Sequence, residues 1–283
     1  MLYTVKLENS KLHISKGNSK IGKTIWSFST LPGNKQHLLY VSNQTLLTDI
    51  PGTCGSLCSG CFKDCYAVNS VKLHHNSVCV PWAENTLLLR SGRLWNLLET
   101  FLDDKNKKAT ANIKKLTDAG ISQEEAIKQS KSLAKITLFR INVSGEVQTA
   151  DEFAQWGYLA TKHPEIQFGV YTKNFDALGE YLHNVGSTPN NFVINISQWN
   201  HCADTFLKEH PYNLLNVFEY DPTNLKSCDW SQADKDRLAA LHHCPAVDKK
   251  GHHANLPNGD PITCDKCRRC YTKTGNTTAV YAH

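Results

Sequence analysis

Four cysteines, Cys54, Cys58, Cys61 and Cys65, fall within twelve residues, with Gly55, Ser56, Ser59 and Gly60 between them. A hydrophobic core has no use for thiols at that density, whereas a metal does. Thiolates are soft ligands that suit iron–sulfur clusters, zinc and copper(I). The small intervening residues let the backbone wrap closely and aim N–H groups at sulfur. The chain has eleven cysteines in all, clustered rather than spread, which argues for metal rather than a disulfide framework. Residues 1–16 contain no apolar signal core and no run of eighteen apolar residues exists, so the expectation is a cytoplasmic protein without a membrane span. A net charge of +5 permits nucleic-acid contact without arguing for it.

A second cysteine group closes the chain. Cys264, Cys267 and Cys270 stand in C-x2-C-x2-C spacing, the local part of a bacterial ferredoxin signature. That signature needs a remote ligand, commonly a Cys before Pro, and Cys244-Pro245 supplies one. The four define a second [4Fe-4S] site, and Arg268 and Arg269 would offset its negative charge. Zinc held by four cysteines is the competing reading at both sites. Cys79, Cys202 and Cys228 are isolated and read as small buried hydrophobes. The pairs His74-His75 and His252-His253 read as surface loops.

Between the two groups the pattern is regular. Residues 136–143, 166–171, 192–196 and 214–218 are apolar and β-rich, and each is followed by a helical stretch: 150–162, 176–184, 202–209 and 231–242. Such units imply a parallel sheet with right-handed crossovers. Apolar positions from Trp82 to Leu102 fit one long helix or two short ones, and Ser122 opens another as the first residue of a capping box. Near the start, Trp26–Ser29 and His37–Val41 are candidate strands, and Gly17–Lys23 reads as a plain polar loop. The count of units suits a partial (β/α) barrel over 1–240, carrying the cysteine loop at 51–67. Residues 241–283 form a Cys-rich metal-binding subdomain.

Parallel sheets place their sites at the C-terminal strand ends. Ser144-Gly145-Glu146 falls at one such end, where Gly lets a ligand approach and Glu can accept from an ammonium group. Tyr171 and Lys173 fall at the next, and Gln198, Trp199, Glu219 and Asp221 share the rim. A polar, aromatic-edged mouth is a pocket by default, here for an unidentified small molecule. The lysines of 105–135 read as a solvated face, with nucleic acid as the alternative partner.

These features resemble the radical S-adenosylmethionine-like proteins of phages and mobile elements, the gene product 88 family. The resemblance rests on Asn18–Lys23, the loop ending Cys65-Tyr66-Ala67, the stretch Phe139–Glu146, Tyr171-Thr172-Lys173, and the tail with Cys244-Pro245 and Cys264, Cys267 and Cys270. It implies a partial barrel of the radical SAM type. In that superfamily a C-x3-C-x2-C loop, here Cys54, Cys58 and Cys61, holds three irons of a [4Fe-4S] cluster. A Gly-Gly-Glu stretch, here Ser144, Gly145 and Glu146, holds the amino group of S-adenosylmethionine. Two departures stand against carrying the reaction over. Gly60 replaces the aromatic that usually precedes the last cysteine, and Cys65 is placed to cap the remaining iron. The reading is an iron–sulfur protein with two [4Fe-4S] clusters, its reaction open and a redox partner conceivable; S-adenosylmethionine binds only if Cys65 leaves an iron free. The alternative is a zinc-stabilised phage protein that binds nucleic acid without catalysis.

Overall fold

The computed structural model describes residues 7–18, 21–33, 36–41, 44–55, 65–130, 135–199, 201–211, 215–226, 228–250, 252 and 254–281. Strands β1 (Ser15–Asn18), β2 (Gly22–Ser27), β3 (Gln36–Val41) and β4 (Gln44–Pro51) come first. Helices α1 (Tyr66–Leu73), α2 (Val80–Arg90), α3 (Leu94–Asp118) and α4 (Gln123–Gln129) follow. The chain then alternates: β5 (Leu138–Ile141), α5 (Ala150–Lys162), β6 (Gln167–Thr172), α6 (Phe175–Val185), β7 (Phe192–Gln198), α7 (Asp204–Glu209), β8 (Asn216–Asp221) and α8 (Gln232–Ala239). It ends with β9 (His242–His243), α9 (Cys264–Cys267) and β10 (Thr277–Tyr281).

Eight strands form one sheet in the order β1-β2-β5-β6-β7-β8-β10-β9. Within this sheet every pairing from β2 to β9 is parallel and β1 pairs antiparallel with β2, while β3 and β4 form a separate antiparallel pair. From β2 to β8 the order advances in one direction, so right-handed crossovers lay the helices on one face. This is the mixed α/β, mostly parallel architecture that the strand–helix alternation predicts. No pairing joins β1 to β9 among the described residues. The tail is part of the sheet: β10 lies beside β8 with Thr278, Ala279 and Val280 buried, although this stretch shows no apolar periodicity. Of Gly17–Lys23, expected as a loop, Gly17 and Asn18 belong to β1 and Gly22 and Lys23 to β2; Gly17, at an irregularity in the β1–β2 register, has φ 41° and Gly22, opening β2, has φ 100°, conformations that favour glycine. The helical region after Trp82 is two helices, broken at Ser91-Gly92, and the second continues to Asp118 behind a buried stripe of Leu94, Leu98, Leu102 and Ala109.

Strand alternation divides the sheet's faces. Phe139 and Ile141 of β5, Phe168 and Val170 of β6, Phe192, Ile194 and Ile196 of β7 and Val217 of β8 enter the main core. They meet Phe153, Trp156 and Leu159 of α5 and Leu178, Tyr181 and Leu182 of α6. Side-chain caps fix the helix starts: Ser122, Thr149, Asn174 and Ser231 accept from the N–H of Glu125, Glu152, Ala177 and Asp234. The alternate residues, Arg140, Gly169, Tyr171, Asn195, Asn216 and Phe218, lie on the opposite, inner face. There Arg140 is level with Gly169, and Tyr171 with Asn195 and Asn216.

Candidate functional site

The tail covers this inner face, and two asparagines hold it there. Asn195 Nδ2 donates to the Cys270 carbonyl at 3.1 Å and to the Val170 carbonyl at 3.0 Å. Asn216 Nδ2 donates to the Thr272 carbonyl at 2.9 Å, while its Oδ1 accepts from the N–H of Thr274 at 3.0 Å and of Gly275 at 3.2 Å. Gly169 makes the approach feasible: a Cβ there would stand 2.9 Å from the Tyr271 ring and 3.3 Å from the Cys270 carbonyl. At the other end of the tail, Asp265 is tied to β2 through its N–H to the Ile21 carbonyl at 3.1 Å and through the Thr24 hydroxyl at 2.9 Å.

This docking brings Cys264 within electrostatic reach of the other three tail cysteines. Cys264 senses Cys244 and Cys267, and Cys270 senses Cys244 and Cys264. Burial is the largest influence on both, raising the Cys264 thiol and pushing Cys270 up to about 12, while Arg140 pulls each down. Among the described residues no group of three or more His, Cys, Asp or Glu is gathered closely enough to hold a metal ion. The donor set is nonetheless soft and all sulfur, which is the chemistry that iron–sulfur clusters and zinc accept.

Arg140 has no assigned role in the sequence reading, yet it sits at the centre. Its guanidinium lies over the Tyr171 ring, 4.6 Å from the centroid. Its Nε is buried with no hydrogen-bond partner among the described residues. Burial alone would lower its pKa, but Tyr171, Tyr66, Tyr271 and Cys264 around it outweigh burial and the net shift is upward. The signal was present as one arginine in the otherwise apolar, β-rich run 136–143.

The Ser144-Gly145-Glu146 turn follows β5. Asn142, at its entry, is buried in the left-handed region at φ 49°, and Gly145 has φ 82°. A Cβ on Gly145 would meet the hydroxyls of Thr30 and Thr53. Both described ends of the cysteine loop are fastened here. Thr53 Oγ1 accepts the Glu146 N–H at 2.9 Å and pairs with the Thr30 hydroxyl at 2.8 Å, and Tyr66, next after Cys65, donates its hydroxyl to the Val143 carbonyl. Cys54 donates its N–H to the Gly33 carbonyl at 3.0 Å. Cys58 and Cys61 lie outside the described residues.

Glu146 is buried, and its carboxylate braces two strand ends: Oε1 accepts from Val147 N–H at 3.0 Å and Oε2 from Lys173 N–H at 3.0 Å. Burial raises its pKa against the opposing pull of Lys173 and the surrounding hydrogen bonds. The Lys173 ammonium lies 5.9 Å from the Trp199 ring centroid, and Trp199 stacks on Tyr220 at 3.9 Å. Glu146 thus joins the Ser144-Gly145-Glu146 turn to the Lys173 backbone, and Thr53 and Tyr66, the neighbours of Cys54 and Cys65, bond to the same turn or the residue before it. Tyr171 points to the inner face, where it reaches Arg140 and Cys270. Cys79 is buried among Leu31, Ile50, Val71 and Ala83, as a lone apolar cysteine should be.

The family model of Gene product 88 matches residues 6–273 of the 283. The chain belongs to the gene product 88 family. This agrees with the phage family that its motifs resemble, and leaves the cofactor and reaction open. No curated protein and no solved structure matches the chain. Among the described residues of this gene product 88 protein, no helix is long and apolar enough to cross a membrane.

Proposed function

We propose that this protein is an iron–sulfur protein holding two [4Fe-4S] clusters, one on Cys54, Cys58, Cys61 and Cys65 and one on Cys244, Cys264, Cys267 and Cys270. The clusters would lie along the inner face of a partial (β/α) barrel of the radical SAM type. The observation that carries the reading is the buried Arg140 guanidinium, which lies beside Cys264 of the tail and whose Nε has no hydrogen-bond partner among the described residues. A buried cation needs an anionic partner, and a thiolate-ligated cluster is one. Bound clusters would supply one-electron redox capacity. Arg140 offsets charge, Asn195 and Asn216 hold the tail in place, and the Thr30–Thr53 pair holds the loop against the Glu146 turn.

Cys65 belongs to the first site in this reading. The anchoring of Tyr66 to Val143 keeps Cys65 at the same turn as Cys54, which supports a site closed by four thiolates. The alternative occupant, S-adenosylmethionine, would use Ser144, Gly145 and the remaining lone pairs of Glu146, and it requires Cys65 to stay free. Anaerobic reduction with S-adenosylmethionine present, followed by assay for 5′-deoxyadenosine, separates the two. Turnover by the wild type would refute the closed site, whereas turnover by Cys65→Ala alone would support it.

A second reading has its own observation. A groove of about 1310 Å³ beside α3 and α4 is lined by Lys16, Lys23, Lys114 and Lys135 together with Trp26, Ile113 and Ile127, and no acidic side chain is among its described lining residues. This is the cationic groove that a nucleic-acid strand would use. Anisotropy of a labelled single-stranded oligonucleotide at rising salt tests it. Binding whose salt slope drops by about 0.7 for each lysine removed supports it, and salt-independent or absent binding rejects it.

A further inference from the structure

We infer that α8 is a lid on the strand-end residues Gln198 and Glu219, latched to α7 by His201 in its charged form and released when that ring loses a proton. The inference goes beyond the cluster reading and does not depend on what the cysteines hold.

Both ring nitrogens of His201 face carboxylates. Nδ1 lies 2.8 Å from Asp204 Oδ2 on α7, and Nε2 lies 2.8 Å from Asp234 Oδ1 on α8. An ionised carboxylate only accepts, and a neutral imidazole donates from one nitrogen only. Making both bonds therefore requires the imidazolium. The backbone presents the ring from a left-handed conformation, φ 63°, which is uncommon outside glycine. Helix α8 has little else to fix it. Of its eight residues only Leu238 is buried. Its other tie to the sheet is polar, from the Arg237 guanidinium to Glu219 at 2.6 and 2.8 Å. Glu219 is buried near the end of β8, level with Gln198 of β7. Gln198 Oε1 and Arg237 Nε are both buried with no hydrogen-bond partner among the described residues. An unmade bond of that kind costs free energy that hydration would recover. The closed lid keeps this polar site dry at a cost, and the latch offsets it.

The charged groups facing the ring are Asp204 from α7 and Asp234 and Arg237 from α8. The bonds to Asp234 and Asp204 raise the His201 pKa, against burial and the Arg237 charge. Ser231 and His201 together hold Asp234 below its ordinary value. The latch is therefore complete below the ordinary histidine value and is lost as pH rises through the raised one. The depressed Asp234 keeps its half of the bridge ionised down through the ordinary carboxylate range. When the ring loses its proton, one nitrogen turns a lone pair toward a carboxylate oxygen. Whichever nitrogen that is, the bridge from α7 to α8 is broken.

The test is hydrogen exchange of the full chain across pH, read by mass spectrometry on peptides covering 232–239 and corrected for the intrinsic pH dependence of exchange. A histidine side-chain NMR titration accompanies it, with the His201 signal identified as the one lost in His201→Asn. Asn tolerates the left-handed backbone and is too short to bridge both carboxylates. His201 is expected to titrate above about 6.5. Protection of 232–239 is expected to fall about tenfold for each pH unit between that ordinary value and the observed one. Helix α5 should keep its protection throughout. His201→Asn should show low protection of 232–239 at every pH, and about 1 M salt should weaken the wild-type latch below the transition. A His201 that titrates at or below the ordinary value would overturn the inference. So would wild-type protection that does not change across the titration, or a step that survives in His201→Asn. If that variant fails to fold, Asp234→Asn decides the same question, because it must bring the His201 titration down and abolish the step.

Discussion

The two faces of the sheet are built from the same strands by opposite means. On the helix side, Phe139, Phe168 and Phe192 interlock with Trp156 and Tyr181, and stability comes from apolar burial. On the inner side the strands offer Arg140, Asn195 and Asn216, and the tail is held by directed hydrogen bonds to its backbone. The difference shows a division of labour. The helix side makes the fold, and the inner side positions cysteines that have little core of their own.

Variants on the two faces should therefore fail differently. Trp156 is 1% exposed at the centre of the helix-side core, and Trp156→Ala should cost about 3–5 kcal/mol of unfolding free energy, measured by denaturant titration. Asn216→Ala removes one donor and one acceptor from the tail backbone and should cost about 1–3 kcal/mol. It should also expose residues 270–275 to proteolysis before the rest of the chain. If limited proteolysis cut both variants in the same order, the two faces would not be separable. Gly169→Ala should cost about 1–3 kcal/mol by pressing on Tyr271 and the Cys270 carbonyl. It should lower tail iron more than loop iron.

The smallest effect concerns pH. Burial lifts Glu152 to about 7, with Glu146 adding to the shift and the Gln148 N–H and Arg90 opposing it. The native state then binds more protons than the unfolded state between the ordinary carboxylate value and about 7. Stability from this group must fall as pH rises through that window. Melting temperatures recorded from pH 4.5 to 7 should decline less in Glu152→Gln than in the wild type. An identical slope would show that Glu152 does not carry the shift.

Much of the helix side was legible in the sequence because burial on one face leaves a period. The stretch 150–162 is α5, and 176–184 differs from α6 by one residue at each end. The inner side was less legible, because its residues act through partners remote in sequence. Asn195 and Asn216 are ordinary polar residues until the tail arrives 75 and 56 positions later. Strand β10 pairs with β8, and five β-prone residues after a Gly-Asn turn do not announce which sheet they join. The turn at Ser144–Glu146 could be placed at a strand end, but not the bracing role of the Glu146 carboxylate, since Lys173 reaches it with a backbone N–H. Arg140 was visible as the one charge within the run 136–143, yet nothing in the sequence alone says that Tyr171, Tyr271 and Cys264 gather around it.

The central claim is that both cysteine groups hold clusters, and the direct test is iron and acid-labile sulfide per chain in protein purified without air, for the wild type and Cys264→Ala. The account predicts a brown wild type with about eight irons, and a variant that keeps about four and melts lower because the tail is no longer held by its metal. A colourless wild type carrying zinc, or a Cys264→Ala variant with unchanged iron and melting temperature, would contradict it.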